Sequence, residues 1–541
     1  MNAELLDPRG SRLEPPTPLA GRPATLGGRQ LLIFDNEKLV GRPNYAPFVP
    51  ALIDGLTQRA GAAGCQVIQR SIMGMRPAAI DALVREIQAV EPAGVVILFG
   101  DAGSLRENIV LAVRLEGCGI PTVTLVTPGA ASLAGSMAQS YCPGLPLVAL
   151  DLSYTDAAER VKEVVGGRVE TAAQALTSGW DARQSDARLA GLAPVPAGAR
   201  LEVAGADREP GPDLELLLER LDSLRAGDGL PVVPPTRGRV QRMLSVTRRR
   251  PDEVLRAECA PTGTALTIEK LAINAVMAGC RPEYFPIVVA ATEAMCDDAY
   301  YLDTGAITTH SSGNAIVVSG PLARQVGMHA GGGCLGPGFR ANASIGRAIT
   351  LTVLNILRAV PGLSDMATLG SPAEYVYCFA ENEEESPWPG LHTELYGPDT
   401  TSVIVVKAES PHNFLDEYSL NAEALLEVPV SALSTIAHNN AYRPGNVLLI
   451  LNPQHAQVVA SSGWSRSDVQ RYIHEHARVP LAETLKHGTS PSRPDWMKGL
   501  DRVPITRSPE DVIVVVAGAH GPQSLVAPSW GFSYAVSRPV G

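Results

Sequence analysis

The chain has 541 residues, 45% of them hydrophobic, and its formal net charge is -11. This length allows about two to four domains with proper cores, and the acidic balance argues against a broad nucleic-acid-binding surface. No apolar run approaches the ~20 residues that cross a bilayer, and the first residues lack the basic and apolar regions of a signal peptide. We therefore expect a cytoplasmic protein that binds neither membranes nor nucleic acids; homo-oligomerisation is left open.

The first ordered region is predicted to be an α/β domain over residues 29–179. Residues 1–28 are rich in Pro, Gly and Arg without periodicity, so they predict a loose arm. Short apolar runs then alternate with helical patterns, which is typical of a parallel sheet covered on both faces. The predicted strands are residues 31–34, 65–72, 95–99, 121–126 and 147–150. The fold class is α/β, with a doubly wound parallel sheet at the N-terminus.

A change in composition separates a second domain. Residues 180–213 are rich in Ala, Gly, Pro, Arg and Asp and predict a linker. Strand and helix patterns resume afterwards, so residues 214–541 predict a second, larger α/β domain. Its predicted strands are residues 315–319, 375–379, 402–406, 446–451 and 512–517.

Residues 94–108 combine an apolar run, a group of small residues and the start of an amphipathic helix. In a parallel sheet such a loop opens into the crevice where ligands bind, and the N–H groups of the helix favour an anion there. The sequence therefore predicts a strand-to-helix ligand loop from Gly100 to Ser104, with Ser104 as a ligand-binding residue.

The same segment resembles a known family. The runs Gly-Asp-Ala-Gly-Ser-Leu at 100–105 and Leu-Glu-Gly-Cys-Gly-Ile-Pro-Thr-Val at 115–123 are similar to those of the UGSC-like (seleno)protein family of α/β domains, over about residues 31–178. That family's motif is Sec or Cys, then Gly, Ser and Cys, which places Ala102 on the chalcogen position and Leu105 on the second cysteine. The resemblance implies that this motif is degenerate here, because only a thiolate or selenolate supplies the nucleophile.

The second half is similar to longer, two-domain companions of that family in residues 272–286 and 336–347. This similarity implies the pairing of the two domains and no particular reaction.

All ten histidines follow residue 309. Because imidazole is the usual base and a common metal ligand near neutral pH, acid–base or metal chemistry is predicted for the second domain. The cofactor is left open, with a divalent metal as one option.

A Gly-rich run at residues 327–347 leads into a predicted helix. Asn342 is a predicted helix cap, and Ser344 lies in the same turn. Glycines let backbone N–H groups approach a ligand, and Arg340 and Arg347 could donate charge-assisted hydrogen bonds to a phosphate or carboxylate. We predict an anion site here; the alternative is a structural loop whose glycines serve tight turns.

Acidic residues follow the predicted strand at 375–379. Glu381, His392 and Glu394 could bind a divalent metal, or Glu381 and His392 could act as acid and base. The alternative is a solvated acidic loop.

Polar residues also precede the predicted strand at 315–319. Ser311, Ser312 and Asn314 are predicted to bind substrate, and His310 could handle protons. Among the eight cysteines, which form no Cys-x-x-Cys motif, Cys334 is flanked by glycine and is the thiol most expected to be accessible and reactive.

The leading hypothesis is an enzyme acting on a small, carboxylate-bearing molecule, with lyase or transferase chemistry at a carbon–heteroatom bond. We predict that its catalytic residues, His310, His329, Glu381 and His392, converge on one pocket of the second domain. One alternative is a thiol-dependent redox or sulfur-transfer enzyme using Cys334. The other is a protein that binds a small ligand or supports assembly without catalysis.

Overall fold

The computed structural model describes residues 5–37, 42–100, 104–152, 156–178, 180, 186–196, 199, 210–487, 497 and 499–541. Its N-terminal domain contains five parallel strands in the order β2-β1-β3-β4-β5. They are β1 Gln30–Asp35, β2 Gly64–Gln69, β3 Val95–Gly100, β4 Thr122–Val126 and β5 Leu147–Ala149. The accompanying helices are Phe48–Gln58, Pro77–Gln88, Leu105–Gly117, Ala131–Tyr141 and Ala158–Thr177. The predicted doubly wound parallel sheet is confirmed.

Helices cover both faces of this sheet because its central strands are apolar on both sides. Leu31 and Ile33 of β1 pack into one hydrophobic core, while Leu32 and Phe34 pack into the other. Successive strand residues point to opposite faces, so a continuous apolar run such as β1 requires a layer of helices on each side.

The second domain is also α/β, and its described residues contain two mixed four-stranded sheets. One has the order β17-β10-β8-β9, from β8 Gly313–Ser319, β9 Cys378–Ala380, β10 Ser402–Ala408 and β17 Val536–Pro539. The other has the order β11-β16-β12-β15, from β11 His412–Leu415, β12 Val447–Leu451, β15 Val512–Val516 and β16 Gln523–Pro528. Two ribbons pair β6 Val254–Cys259 with β7 Thr264–Thr267, and β13 Arg478–Pro480 with β14 Arg502–Pro504.

The helices of this domain are Pro210–Ser223, Arg237–Leu244, Ile268–Met277, Phe285–Cys296, Leu302–Gly305, Pro321–Gln325, Arg340–Thr352, Leu391–Tyr396, Ala422–Leu433, Pro453–Ser461, Arg466–His476 and Leu481–His487. Each of the five predicted strands coincides with an observed one, although the strand predicted at 375–379 begins only at Cys378. A helix that crosses a bilayer, which needs both length and low polarity, is absent from the described part of the chain.

Residues 5–28 pack against both domains, which corrects the predicted loose arm. The amide of Leu6 donates to the carbonyl of Pro235 at 3.1 Å in the second domain. The buried carboxylate of Glu116 in the N-terminal domain accepts from Ala20 N at 2.7 Å and from Arg22 Nη1 at 2.6 Å. These partners are distant in the chain, so local composition could not reveal them.

Part of the predicted linker also packs on the N-terminal domain. The short turn Ala187–Ala190 lies against the helix Ala131–Tyr141, and Leu189 is buried there. The amide of Leu192 donates to Ser136 Oγ at 2.8 Å. Residues 181–185, 197–198 and 200–209 of the linker lie outside the described residues.

A buried charged network joins the two domains. Asp303 of the second domain accepts from Arg256 Nη2 at 2.6 Å and from Arg106 Nη2 at 3.2 Å, and Arg106 belongs to the N-terminal domain. Tyr301 donates to Glu107 Oε1 at 2.6 Å across the same boundary. Because these carboxylates are almost fully buried, they depend on these partners, and the domains dock through specific contacts.

Candidate active site

β3 ends at Gly100 and the helix Leu105–Gly117 follows it in the chain, as predicted for a strand-to-helix connection. Ser104 occupies the position preceding that helix, and its Oγ accepts from Asn36 Nδ2 at 3.0 Å. Asp101, Ala102 and Gly103, which include the chalcogen position of the family motif, lie outside the described residues.

A cavity of about 570 Å³ lies in the second domain where β8 begins and β10 ends. We call it the Lys407 cavity. Its ionisable and polar lining includes Lys407, Asp365, Glu374, His310, Ser312 and Asn314. Ser311 lines a neighbouring cavity, which shares His310 with the first.

Lys407 reaches this cavity through the pairing of two strands. In the antiparallel register of β8 and β10, Lys407 is the partner of Asn314, so the two side chains lie on one face. Lys407 Nζ donates to Asn314 Oδ1 at 3.4 Å, and Tyr300 donates to the same oxygen at 2.7 Å. Burial lowers the pKa of Lys407, although the nearby carboxyls of Glu374 and Asp365 act in the opposite direction.

Besides Asp228, which is paired with Arg347, two carboxyl groups share the cavity wall with this lysine. Burial raises the pKa of Asp365 and that of Glu374, while the Lys407 ammonium favours their ionised forms. Of the described carboxylates, none forms an ion pair with Lys407 within 4.0 Å. The cavity therefore combines a cation that lacks a close counter-charge with two groups inclined to keep a proton.

His310 and Glu409 form a hydrogen-bonded pair beside them. His310 Nε2 lies 3.0 Å from Glu409 Oε1, which also accepts from Asn439 N at 3.0 Å. Burial opposes the ionisation of Glu409, but the hydrogen bonds from His310 and Asn439 outweigh it and lower the pKa of Glu409. An ionised Glu409 favours the tautomer with a proton on Nε2, which leaves Nδ1 of His310 as a base.

Several buried polar atoms around the cavity lack a hydrogen-bond partner among the described residues. They are His310 Nδ1, Ser312 Oγ and Ser371 Oγ. Buried polar atoms nearly always have a partner, so each of these calls for an explanation such as a ligand. Two hydroxyls and one imidazole nitrogen are thus available to a polar molecule in this part of the domain.

Glu381 and His392 meet at the opposite end of β8. Ser319 Oγ donates to Glu381 Oε2 at 2.6 Å and lies 2.9 Å from His392 Nδ1. Arg466 Nη2 donates to Glu381 Oε1 at 2.9 Å, and its Nη1 donates to Glu394. Burial raises the pKa of Glu381, and the charge of Arg466 opposes that rise. These hydrogen bonds connect the ends of β8 and β9 to the helix Arg466–His476.

The predicted metal set of Glu381, His392 and Glu394 needs correction. Within the described ranges, no group of three or more His, Cys, Asp or Glu side chains is placed to hold a metal ion. Arg466 provides the positive charge between the two glutamates instead. This arginine lies 72 positions beyond Glu394 in the chain, so no local motif announced it.

The structure does not bring His310, His329, Glu381 and His392 into one pocket. His310 precedes the first residue of β8, whereas Glu381 and His392 gather at its last, and seven strand residues separate the ends by about 20 Å. The His329 ring stacks on Phe339 with centroids 3.7 Å apart, and its Nε2 lies 2.9 Å from Gly332 O.

The arginines of the Gly-rich run contact protein groups. Arg347 Nε donates to Asp228 Oδ2 at 2.7 Å, and Arg340 Nη2 donates to Gly279 O at 2.9 Å. These bonds fasten the helix Arg340–Thr352 to neighbouring segments. The arrangement agrees with the structural alternative for this run.

Asn342 lies within the helix, and the residue at its N-cap is Phe339, which corrects the predicted cap. Asn342 Nδ2 donates to His329 O at 2.8 Å and to Cys334 O at 3.1 Å. Ser344 Oγ donates to Arg340 O at 2.7 Å. These hydrogen bonds are internal to the Gly-rich run at residues 327–347 and stabilise it.

Cys334 is buried, and burial raises the pKa of its thiol. The predicted accessibility of Cys334 is therefore wrong, and among the described cysteines Cys118 is the exposed one. A thiol with a raised pKa forms little thiolate near neutral pH. This observation weakens the redox and sulfur-transfer alternative.

Sequence reasoning missed Lys407, Asp365, Glu374 and Glu409. Lys407 stands near the end of an otherwise apolar strand, and a charged residue in such a run is a usable signal, because lysine is rarely buried without a reason. The two acids come from irregular segments between elements, where no spacing rule connects them to a lysine on β10. The pairing of β8 with β10 places Lys407 beside Asn314, and the folding of the irregular segments adds the two acids to the same cavity.

Comparison with known proteins identifies the first part of the chain. Residues 4–178 match the model of the UGSC family. The N-terminal domain is UGSC-like. The resemblance carried by residues 100–105 and 115–123 is thereby confirmed. The Lys407 cavity lies beyond the UGSC-like domain, and no curated protein or solved structure matches the chain.

Proposed function

We propose that the chain is a lyase that acts on a small molecule bearing a carboxylate or carbonyl group in the Lys407 cavity. The observation that carries the proposal is the meeting of Lys407, Asp365, Glu374 and the His310–Glu409 pair around one cavity. The reaction is the removal of a proton from the carbon next to that group and the loss of a heteroatom leaving group from the adjoining carbon, so that a carbon–carbon double bond forms between the two carbons. No metal enters this scheme.

Lys407 binds the oxygen of the substrate's carboxylate or carbonyl group. Its ammonium is buried, its pKa is lowered by burial, and its contact within the protein is a long one to Asn314. A substrate oxygen would supply the missing negative partner. Negative charge on that oxygen increases as the neighbouring proton leaves, so Lys407 stabilises the transition state more than the ground state.

His310 removes the proton through Nδ1. Glu409 holds Nε2 at 3.0 Å and thereby fixes the orientation of the ring. A neighbouring carboxylate also stabilises the imidazolium that forms after the transfer. The same pair can return the proton in the reverse direction.

Asp365 or Glu374 protonates the leaving group. Burial raises the pKa of both carboxyls, so each is better able to donate a proton than an exposed carboxyl would be. Catalytic sites commonly contain acid and base groups whose pKa values are shifted by their surroundings.

The experiment is a turnover screen of small carboxylic acids that carry a heteroatom leaving group at C3, with products detected by mass spectrometry. We expect Lys407→Met and His310→Gln to lower the rate of any substrate found by about 100-fold or more. His412→Gln, which changes an exposed histidine, is the matched control and should retain the wild-type rate. Equal rates in all four proteins would contradict the proposal.

A further inference from the structure

Another cavity, of about 280 Å³, lies between the two domains. Arg12 of the N-terminal arm, Ser140 of the UGSC-like domain and Thr262, Thr264 and Arg358 of the second domain line it. This interdomain cavity is separate from the Lys407 cavity. The two are close together, since Arg358 lines the interdomain cavity and the adjacent Ala359 lines the Lys407 cavity.

Arg358 is the charged centre of this interdomain cavity. Its residue is 4% exposed, and its Nη1 and Nη2 donate to the carbonyls of Arg225 at 2.8 Å and Leu224 at 3.2 Å. Within the part of the chain that the structure describes, its buried Nε has no hydrogen-bond partner, and no carboxylate forms an ion pair with Arg358 within 4.0 Å. Backbone carbonyls carry only partial charges, so these two hydrogen bonds do not neutralise the guanidinium.

Such a group is unusual because buried charges are normally paired. Burial lowers the pKa of Arg358 to about 10; the charge of Arg9 adds to that effect, and the carboxylate of Asp7 opposes it. The surroundings therefore make a bound anion more favourable than at an exposed arginine.

The other side chains of the cavity suit an oxyanion. Ser140 is 2% exposed, and no residue that the structure describes forms a hydrogen bond with its Oγ. Arg12 brings a second guanidinium, whose Nη1 is 3.8 Å from the half-exposed carboxylate of Glu258. Glu14 also lines the cavity and is exposed, so its charge is screened by solvent.

We propose that the interdomain cavity binds a small oxyanion, a phosphate or a carboxylate, through Arg358, Ser140 and Arg12. The anion contacts the arm and both domains together, so its binding stabilises their docked arrangement by mass action. This site does not depend on the reaction proposed for the Lys407 cavity.

The test is isothermal titration of the full chain with inorganic phosphate and, in a parallel series, with acetate, both in dilute chloride buffer. We expect saturable binding of at least one of them at one site. Ser140→Ala should weaken it about fivefold, since it removes one hydrogen bond, and Arg12→Gln about tenfold, since it removes a charge-assisted one. Tighter binding in one series identifies the oxyanion class.

The matched control is Arg324→Gln, which removes an exposed arginine that does not line the cavity and should leave the affinity unchanged. Arg358→Gln should abolish binding. If that variant does not fold because the carbonyls of Leu224 and Arg225 lose their donor, Ser140→Ala and Arg12→Gln decide the matter. No saturable binding of either anion, or equal affinity in wild type, Ser140→Ala and Arg12→Gln, would overturn the proposal.

Discussion

Lys407 lies on β10 with its Nζ 3.4 Å from Asn314 Oδ1, and two carboxyl groups face the same cavity. Two opposing influences act on the pKa of Lys407. Burial favours the neutral amine, whereas the charges of Glu374 and Asp365 favour the ammonium. The balance between them determines the pH at which Lys407 loses its proton.

Removing either acid should therefore lower the pKa of Lys407 further. We expect Asp365→Asn and Glu374→Gln to move the pH dependence of Lys407 acylation by acetic anhydride to lower pH, because the neutral amine is the reactive form. Peptide mass spectrometry measures the rate at each pH. Asp399→Asn, a change at an exposed acid, should leave the profile unchanged; identical profiles in all three variants would refute the electrostatic coupling.

At the residue scale the sequence predicted His310, Ser312 and Asn314 as polar residues near the start of a strand, and all three line the Lys407 cavity. It assigned His392 and Glu381 to the same pocket, which the strand length prevents. Sequence proximity to a strand does not say which of its two ends a side chain occupies.

Strands that are buried on both faces could be predicted from the apolar pattern of the sequence. β8, β10, β12 and β15 were predicted because uninterrupted apolar runs are easy to recognise. β6, β11, β16 and β17 were missed, since their mixed composition resembles that of loops. Pairing with a partner strand, rather than local composition, determines where such strands form.

The buried network at the end of β8 offers a test of how elements are held together. We expect Arg466→Met to lower the free energy of unfolding by about 3 kcal/mol at pH 8, because it leaves the Glu381 carboxylate buried without its partner. Arg466 lowers the pKa of Glu381, so its stabilising effect is present at high pH and is lost as the pH falls and Glu381 takes up a proton.

Urea unfolding at pH 8 and pH 5 measures this difference. Arg471→Met changes an exposed arginine on the same helix and should have little effect at either pH. A loss of stability from Arg466→Met that is larger at pH 5 than at pH 8 would contradict the assigned role.

A close contact between a helix and the linker gives a second test at this scale. A Cβ on Gly135 would clash with Leu189 O, whereas a Cβ on Gly167 would have no described atom within 4 Å. We expect Gly135→Ala to destabilise the protein by about 1–3 kcal/mol through this clash. Gly167→Ala, also within a helix, should stabilise it by about 0.5–1 kcal/mol. Thermal unfolding distinguishes the two; stabilisation by both would mean that the linker does not pack there.

For the whole molecule, composition correctly indicated two α/β domains but not how they meet. The arm was predicted to be loose because it lacks periodicity, yet residues 5–28 form hydrogen bonds with both domains. Buried ion pairs such as that between Arg106 and Asp303 connect residues almost 200 positions apart, and no local pattern encodes them.

Asp303→Asn should uncouple the domains. The change leaves Arg106 and Arg256 without their shared carboxylate, which costs about 3 kcal/mol. Because the lost ion pairs lie at the boundary between the two domains, we expect calorimetry of the variant to show two separated unfolding transitions. Asp399→Asn is the control, and an unaltered transition in Asp303→Asn would refute the coupling.

The central claim, that His310 and Lys407 promote proton removal next to a carboxylate or carbonyl, is tested most directly by hydrogen exchange. Small carboxylic and 2-oxo acids are incubated in D₂O with the protein, and deuterium uptake at carbon is followed by NMR. We predict exchange with wild type and His412→Gln, and a loss of about 100-fold or more in His310→Gln and Lys407→Met. Exchange that proceeds equally in His310→Gln and Lys407→Met would contradict the account.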